Sequence, residues 1–189
     1  MSRTQPSDLY AHPRDMVAEA VQDYGIHATV DTCLALLDGH EDYGRLPVPL
    51  AYLAGAHAVG KLGRGDLTLR QQAHWPRVWA GRALRYVWLA YAEPGVVAAL
   101  ADPSWRVREV AAKVVDQRRV TSAVEQLRPL LRDRELRVRV AGVRALGAVG
   151  GLEHAAWVRA VDTNEPALRV AVDGALRGLR LSAGRQPAL

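Results

Sequence analysis

The feature that most constrains this chain is a segment that repeats itself. DPSWRVREVAAKVV, beginning at Asp102, aligns with DRELRVRVAGVRAL, beginning at Asp133. Asp102 matches Asp133, Val107 matches Val138, Arg108 matches Arg139 and Val114-Val115 matches Ala145-Leu146, all 31 residues apart. The same register runs upstream to Arg77 and Ala83-Leu84 and downstream, 30 residues on, to Arg169 and Ala175-Leu176. A second series, Leu69, Leu100, Leu131 and Val161, stands just ahead of each turn. A period of this length in a chain of 189 residues restricts it to a stack of like units.

Each unit reads as a helical hairpin. In the third, residues 122–132 and 135–149 carry apolar residues at helical spacing, with Val138, Ala141, Ala145 and Val149 on one side. Neither helix can bury such a face alone, so neighbours must stack to bury it. Pro94-Gly95, Asp102-Pro103-Ser104 and Gly150-Gly151 punctuate the pattern, Thr163 or Asn164 is placed to cap the last helix, and Pro76 suits the first turn of a helix running from Trp75 to Tyr91. Before the repeats, residues 13–24, 27–38 and 48–62 read as helices without clear register. The expected organisation is therefore all-α: a flexible amino terminus over 1–12, a helical cap or diverged repeat over 13–65, four units over 66–180 and a flexible tail over 181–189.

The pattern of Asp, four residues, Val-Arg, then Ala and Leu, as in DPSWRVREVAAKVV and DRELRVRVAGVRAL, resembles the HEAT repeat. The outer units depart from it, with Gln71 and Thr163 at the Asp position. The resemblance implies a right-handed α-solenoid whose second helices line the inner surface. It also implies that Asp102, Arg108, Asp133 and Arg139 form a structural Asp/Arg ladder through charge-assisted hydrogen bonds.

Charge is unevenly distributed. Residues 1–66 carry 5 basic and 9 acidic groups, whereas 67–189 carry 20 and 11, so the basic character belongs to the repeats. Arginine outnumbers lysine 23 to 2, in a chain with one isoleucine and no phenylalanine, a bias that GC-rich coding also produces. Arg82, Lys113 and Arg144 recur five residues after the repeated arginine, with Arg106 and Arg137 beside them and Trp75 at the equivalent place in the preceding unit. This row faces away from Val107, Val110, Ala111 and Val114, and reads as a basic ridge suited to an acidic protein or peptide, with Trp75 as an apolar anchor.

Catalytic and metal readings find little support. The six histidines form neither HExxH nor a Cys/His cluster, so no metal or cofactor is expected. Iron-dependent deoxyhypusine hydroxylases, which share HEAT-like repeats, use recurring His-Glu pairs; here His40-Glu41 and the reversed Glu153-His154 do not match. Alkylpurine DNA glycosylases on such repeats use a carboxylate, but no acid occurs from Leu67 to Ala92, where Trp75 and Trp79 lie. Cys33, the single cysteine, sits in an apolar run and reads as a buried thiol of a reducing, cytoplasmic setting, and no stretch is apolar enough to span a membrane. The expected role is a noncatalytic interaction or adaptor module for an acidic partner. The alternative is a nucleic-acid-binding HEAT-like protein, with a DNA glycosylase-like enzyme as its catalytic form.

Overall fold

In the computed structural model, which describes residues 3–69 and 71–183, every regular element is helical. The chain divides into two compact units, residues 1–95 and 96–189.

The first unit holds α1 (Pro13–Tyr24), α2 (Ile26–Leu37), α3 (Ala51–Ala54), α4 (Ala56–Gly63) and α5 (Trp75–Ala83). His12 caps α1 by accepting the Arg14 N–H on Nδ1, and Pro13 occupies the first turn, where its missing N–H costs nothing. Gly25, at φ 89°, ends α1 and lets α2 begin one residue later, a backbone angle that glycine adopts without penalty. Val17, Ala20, Val30, Cys33, Leu36 and Leu53 are fully buried, and Tyr52 joins them with its hydroxyl donating to Asp23 Oδ2 at 2.7 Å.

Three features of this unit differ from the sequence expectation. The segment before α1, expected to be flexible over 1–12, is tied down from residue 3: Arg3 pairs with Glu19, and the Ser7 N–H and hydroxyl both donate to the same carboxylate. The single helix expected over 48–62 is broken at Gly55. That residue has φ 53°, and a Cβ there would lie 2.1 Å from the Leu9 carbonyl oxygen, which accepts the Ala56 N–H. The helix expected from Trp75 to Tyr91 stops at Ala83. Tyr86, Val87 and Trp88 follow, types that lose side-chain freedom in a helix, and by Leu89 the backbone is extended.

The second unit, with α6 (Glu93–Ala99) running into it, continues through α7 (Trp105–Arg118), α8 (Val124–Leu127), α9 (Leu136–Val149), α10 (Ala155–Arg159) and α11 (Pro166–Ala183). The long helices pack side by side, α7 on α9 and α9 on α11, while α8 and α10 back onto α9 and α11. Val107, Ala111, Val114 and Val115 of α7 and Val138, Ala145 and Leu146 of α9 are sealed between them. The expected helix over 122–132 is three short pieces, because Pro129 has no N–H to continue α8 and restarts the chain as a 3₁₀ turn. Of the expected tail, residues 181–183 continue α11, and 184–189, like residues 1–2, lie outside the described residues.

The α9–α11 crossing is backbone against backbone. A Cβ on Gly147 would stand 2.4 Å from Ala175 Cα, and one on Gly178 would stand 2.4 Å from the Gly147 carbonyl oxygen. At Gly174, one turn from Gly178, a Cβ would meet only Arg177 Nη2, at 3.9 Å. Gly147→Ala is therefore expected to lower unfolding stability by about 1–3 kcal/mol through forced separation of the helices. Gly174→Ala is expected to be neutral or to gain up to about 1 kcal/mol from helix propensity. Denaturant unfolding of the two variants checks this, and equal effects would count against a close crossing.

Candidate protein-interaction surface

The turns inside the hairpins are built by one repeated device. Asp102 Oδ1 accepts the Ser104 N–H, Asp133 Oδ1 accepts the Glu135 N–H, and Asp162 Oδ1 accepts the Asn164 N–H, in each case two residues on. A side chain thereby satisfies an amide that the following helix cannot. An arginine six or seven residues after each aspartate closes the turn from the other side. Arg108 Nη1 donates to the Asp102 carbonyl at 2.8 Å, Arg139 Nη1 to the Asp133 carbonyl at 2.7 Å, and Arg169 Nη2 to the Thr163 carbonyl at 3.4 Å. In the last unit the aspartate is Asp162, one place ahead of Thr163, which lengthens the spacing to its arginine from six residues to seven.

Arg108 also reaches the next unit. Its Nε and Nη2 hold Asp133 Oδ2 and Oδ1 at 2.7 and 3.0 Å, a bidentate pair largely withdrawn from solvent. Burial alone would push the Asp133 carboxyl up. The Arg108 hydrogen bonds, the Glu135 N–H and the charges of Arg108 and Arg139 outweigh that and hold it below its ordinary value of 3.8.

The candidate contact residues do not form one continuous row. Arg106 and Lys113 on α7 are seven residues apart, as are Arg137 and Arg144 on α9, so each pair marks one stripe of its helix. Along α7 the stripe alternates in sign: Arg106, Glu109, Lys113, Asp116. Lys113 is already held by Glu109 at 2.7 Å, and Arg106 lies over the Trp105 ring at 4.3 Å. Along α9 the same positions read Arg137, Val140, Arg144, Gly147, with no acid. Arg137 and Arg144 are exposed and have no hydrogen-bond or ionic partner among the described residues.

Beside Arg144 lies a shallow groove of about 280 Å³, with Gly147, Gly174 and Ala175 along it and Arg119 and Val170 among its walls. Val170 is 64% exposed. Arg119 has the left-handed φ of 57° that ends α7, and its Nη1 donates to the Ala148 carbonyl at 3.1 Å. The repeat pattern carried no signal for Arg119, whose equivalent is Gly150, and Val170, which matches Val140 30 residues earlier, reads there as one more apolar repeat position.

Arg82 and Trp75 belong to the first unit and are placed differently. Arg82 is turned inward, with Nη2 donating to the Leu53 carbonyl at 2.9 Å, so it is not presented to solvent as Arg144 is. Trp75 is half-buried, stacked on buried Trp79, with Lys61 Nζ 5.8 Å from its ring. Among the described residues no three His, Cys, Asp or Glu side chains are grouped to hold a metal ion, and no helix is long and apolar enough to cross a membrane. Cys33 is fully buried, which pushes its thiol up to about 12.

Stacked hairpins joined by Asp turns and tied by arginines across neighbouring units define a helical-hairpin repeat protein. Residues 93–177 match the family model for HEAT repeats, and over those residues the chain is similar to HEAT-repeat proteins. No curated protein matches the chain. HEAT repeats generally serve as protein-interaction scaffolds.

The Arg108–Asp133 pair generates a stability prediction. Arg108→Ala leaves a partly buried carboxylate without its cation and is expected to cost about 2–3 kcal/mol. Because the folded-state pKa of Asp133 lies below its unfolded value, its contribution is complete above the unfolded carboxyl pKa and is lost as pH falls through the folded value. The stability gap between the parent chain and Asp133→Asn should accordingly narrow as pH is lowered from about 5 to about 2. Urea titrations across that range measure it; a gap independent of pH would refute the assignment.

Proposed function

We propose that the α9 stripe and its adjoining groove bind an acidic, amphipathic segment of a partner protein, and that the chain works as a noncatalytic adaptor. The observation that carries this reading is the contrast between neighbouring helices: Lys113 on α7 is held by Glu109, whereas Arg137 and Arg144 on α9 are exposed with no partner among the described residues. A carboxylate on the partner meets two exposed cations, the acid on the groove wall, Asp116, standing 4.0 Å from Arg119, and the planar guanidinium can take the partner carboxylate in bidentate form. An apolar side chain two turns or less away reaches exposed Val170 across a floor of glycine and alanine, where the backbone can approach closely. Arg106 and Lys113 supply flanking charge that raises the encounter rate more than the affinity.

In the same reading the repeats extend over 66–180, since Arg77 keeps the register, with 13–65 as their cap and the cytoplasm as the setting for a buried free thiol. Arg82 is left out of the contact set because it lies in the first unit, turned inward toward the Leu53 carbonyl.

Selection of a displayed random peptide library on the chain tests the proposal. Peptides rich in Asp and Glu with interspersed apolar residues are expected, and Arg137→Glu/Arg144→Glu should weaken them at least tenfold, by loss of two charge-assisted contacts. Lys113→Glu should have the smaller effect. Enrichment of neutral or basic peptides, or binding indifferent to the α9 substitutions, would overturn it. Tight binding of a DNA or RNA oligonucleotide, falling steeply with added salt, would instead favour the nucleic-acid reading.

A further inference from the structure

The first unit half-buries a cation that no carboxylate among the described residues neutralises. The Arg82 guanidinium makes one hydrogen bond, to the neutral carbonyl of Leu53, and its Nε–H is sealed from solvent without an acceptor. Burial pushes its pKa down, although an arginine stays protonated at neutral pH. A charge withdrawn from water without a counter-ion is costly, and folded proteins normally pair it.

Arg82 is also part of the wall of a cavity of about 550 Å³, in the size range of small-molecule sites. Lys61 and Arg64 line the same cavity, and no carboxylate does so among the described residues. Arg64 is matched by Asp66 at 2.9 Å, but the Lys61 ammonium rests on the neutral Gln72 Oε1 at 2.7 Å. Two positive charges, those of Arg82 and Lys61, are therefore left over. Tyr10 and His57 add polar groups to the wall, and Leu9, Pro13 and Met16 from the amino-terminal side supply its apolar part. That side is fixed in place by the Leu9 carbonyl, which accepts the Ala56 N–H at 2.9 Å.

We propose that this cavity binds a small organic phosphate monoester, its dianionic head between Arg82 and Lys61 and its apolar body against Leu9, Pro13 and Met16. A phosphate monoester carries nearly two negative charges at neutral pH and so matches the two unneutralised cations, whereas a simple carboxylate would leave one of them over. The fork of Arg82 and the point charge of Lys61 are the two forms in which side chains hold phosphate. The site is built from residues of the first unit alone.

Titration of phenyl phosphate into the full chain, followed by the rise in Tm and by the Arg82 Nε–H resonance in a proton–nitrogen NMR spectrum, tests the assignment. Saturable binding is expected, with that resonance shifting. Phenyl phosphate should bind at least tenfold more tightly than inorganic phosphate, which lacks the apolar body, and than phenylacetate, which lacks the second charge. Lys61→Gln, at a half-exposed position where folding is not at stake, should weaken phenyl phosphate about tenfold or more. Arg82→Lys, which keeps the charge and loses the fork, should weaken it while the circular dichroism spectrum stays that of the parent. Several results would overturn the proposal. These are no saturable change in the millimolar range, binding untouched by Lys61→Gln, or phenylacetate and inorganic phosphate binding as tightly as phenyl phosphate.

Discussion

A fourteen-residue helix with a single apolar stripe is not stable in water by itself, and that constraint governs the second unit. α9 survives because α7 covers one flank and α11 the other, so Val138, Ala145 and Leu146 lose all contact with solvent. The apolar contacts between such helices are nearly interchangeable along the axis and do not by themselves choose an alignment. The Arg108–Asp133 pair does so. It joins the helix of one hairpin to the turn of the next, and a shift by a single residue would leave both charges partly buried and unpaired. Hydrophobic burial thus supplies most of the stability, while the charged pair fixes which stacking is adopted.

This division of labour explains why some arginines are available for recognition and others are not. Arg108 and Arg139 spend their donors on turn carbonyls and on Asp133, so their charge is internal to the stack. Arg137 and Arg144, on the opposite side of the same kind of helix, have no such duty. Composition alone groups all of these residues as basic; hydrogen-bond geometry separates the ones that hold the fold from the ones that face outward.

The repeat and its helical character were readable because a 31-residue period fixes the spacing of Asp, Arg and apolar residues together, and each has a physical task that tolerates little change. The α7 and α9 boundaries follow from the same logic. Pro129 shortening α8, and Val87 and Trp88 ending α5, are visible as residue types, yet how a helix restarts after them depends on tertiary packing. Gly55 was harder still, since its need for a positive φ arises from Leu9, 46 positions earlier. At the candidate surface, Arg144 and Arg137 were found by counting along the repeat. Arg82, in identical register, turns inward to the Leu53 carbonyl, a partner outside the repeats that no periodicity could reveal.

The two helix junctions flanking α9 have different mechanical character. Between α7 and α9 the seam is made by side chains, buried valines and alanines of α7 facing α9 and the Arg108–Asp133 pair beside them. Between α9 and α11 the backbones touch at Gly147, Ala175 and Gly178, leaving no compliant layer to absorb a displacement. Under an external load, such as a partner pulling on Arg144, the second unit should flex at the α7–α9 seam while α9 and α11 move as one stiff plate. Arg137, Arg144 and the glycine–alanine floor of the groove ride together on that plate, while the Asp116 and Arg119 wall, at the end of α7, lies across the seam.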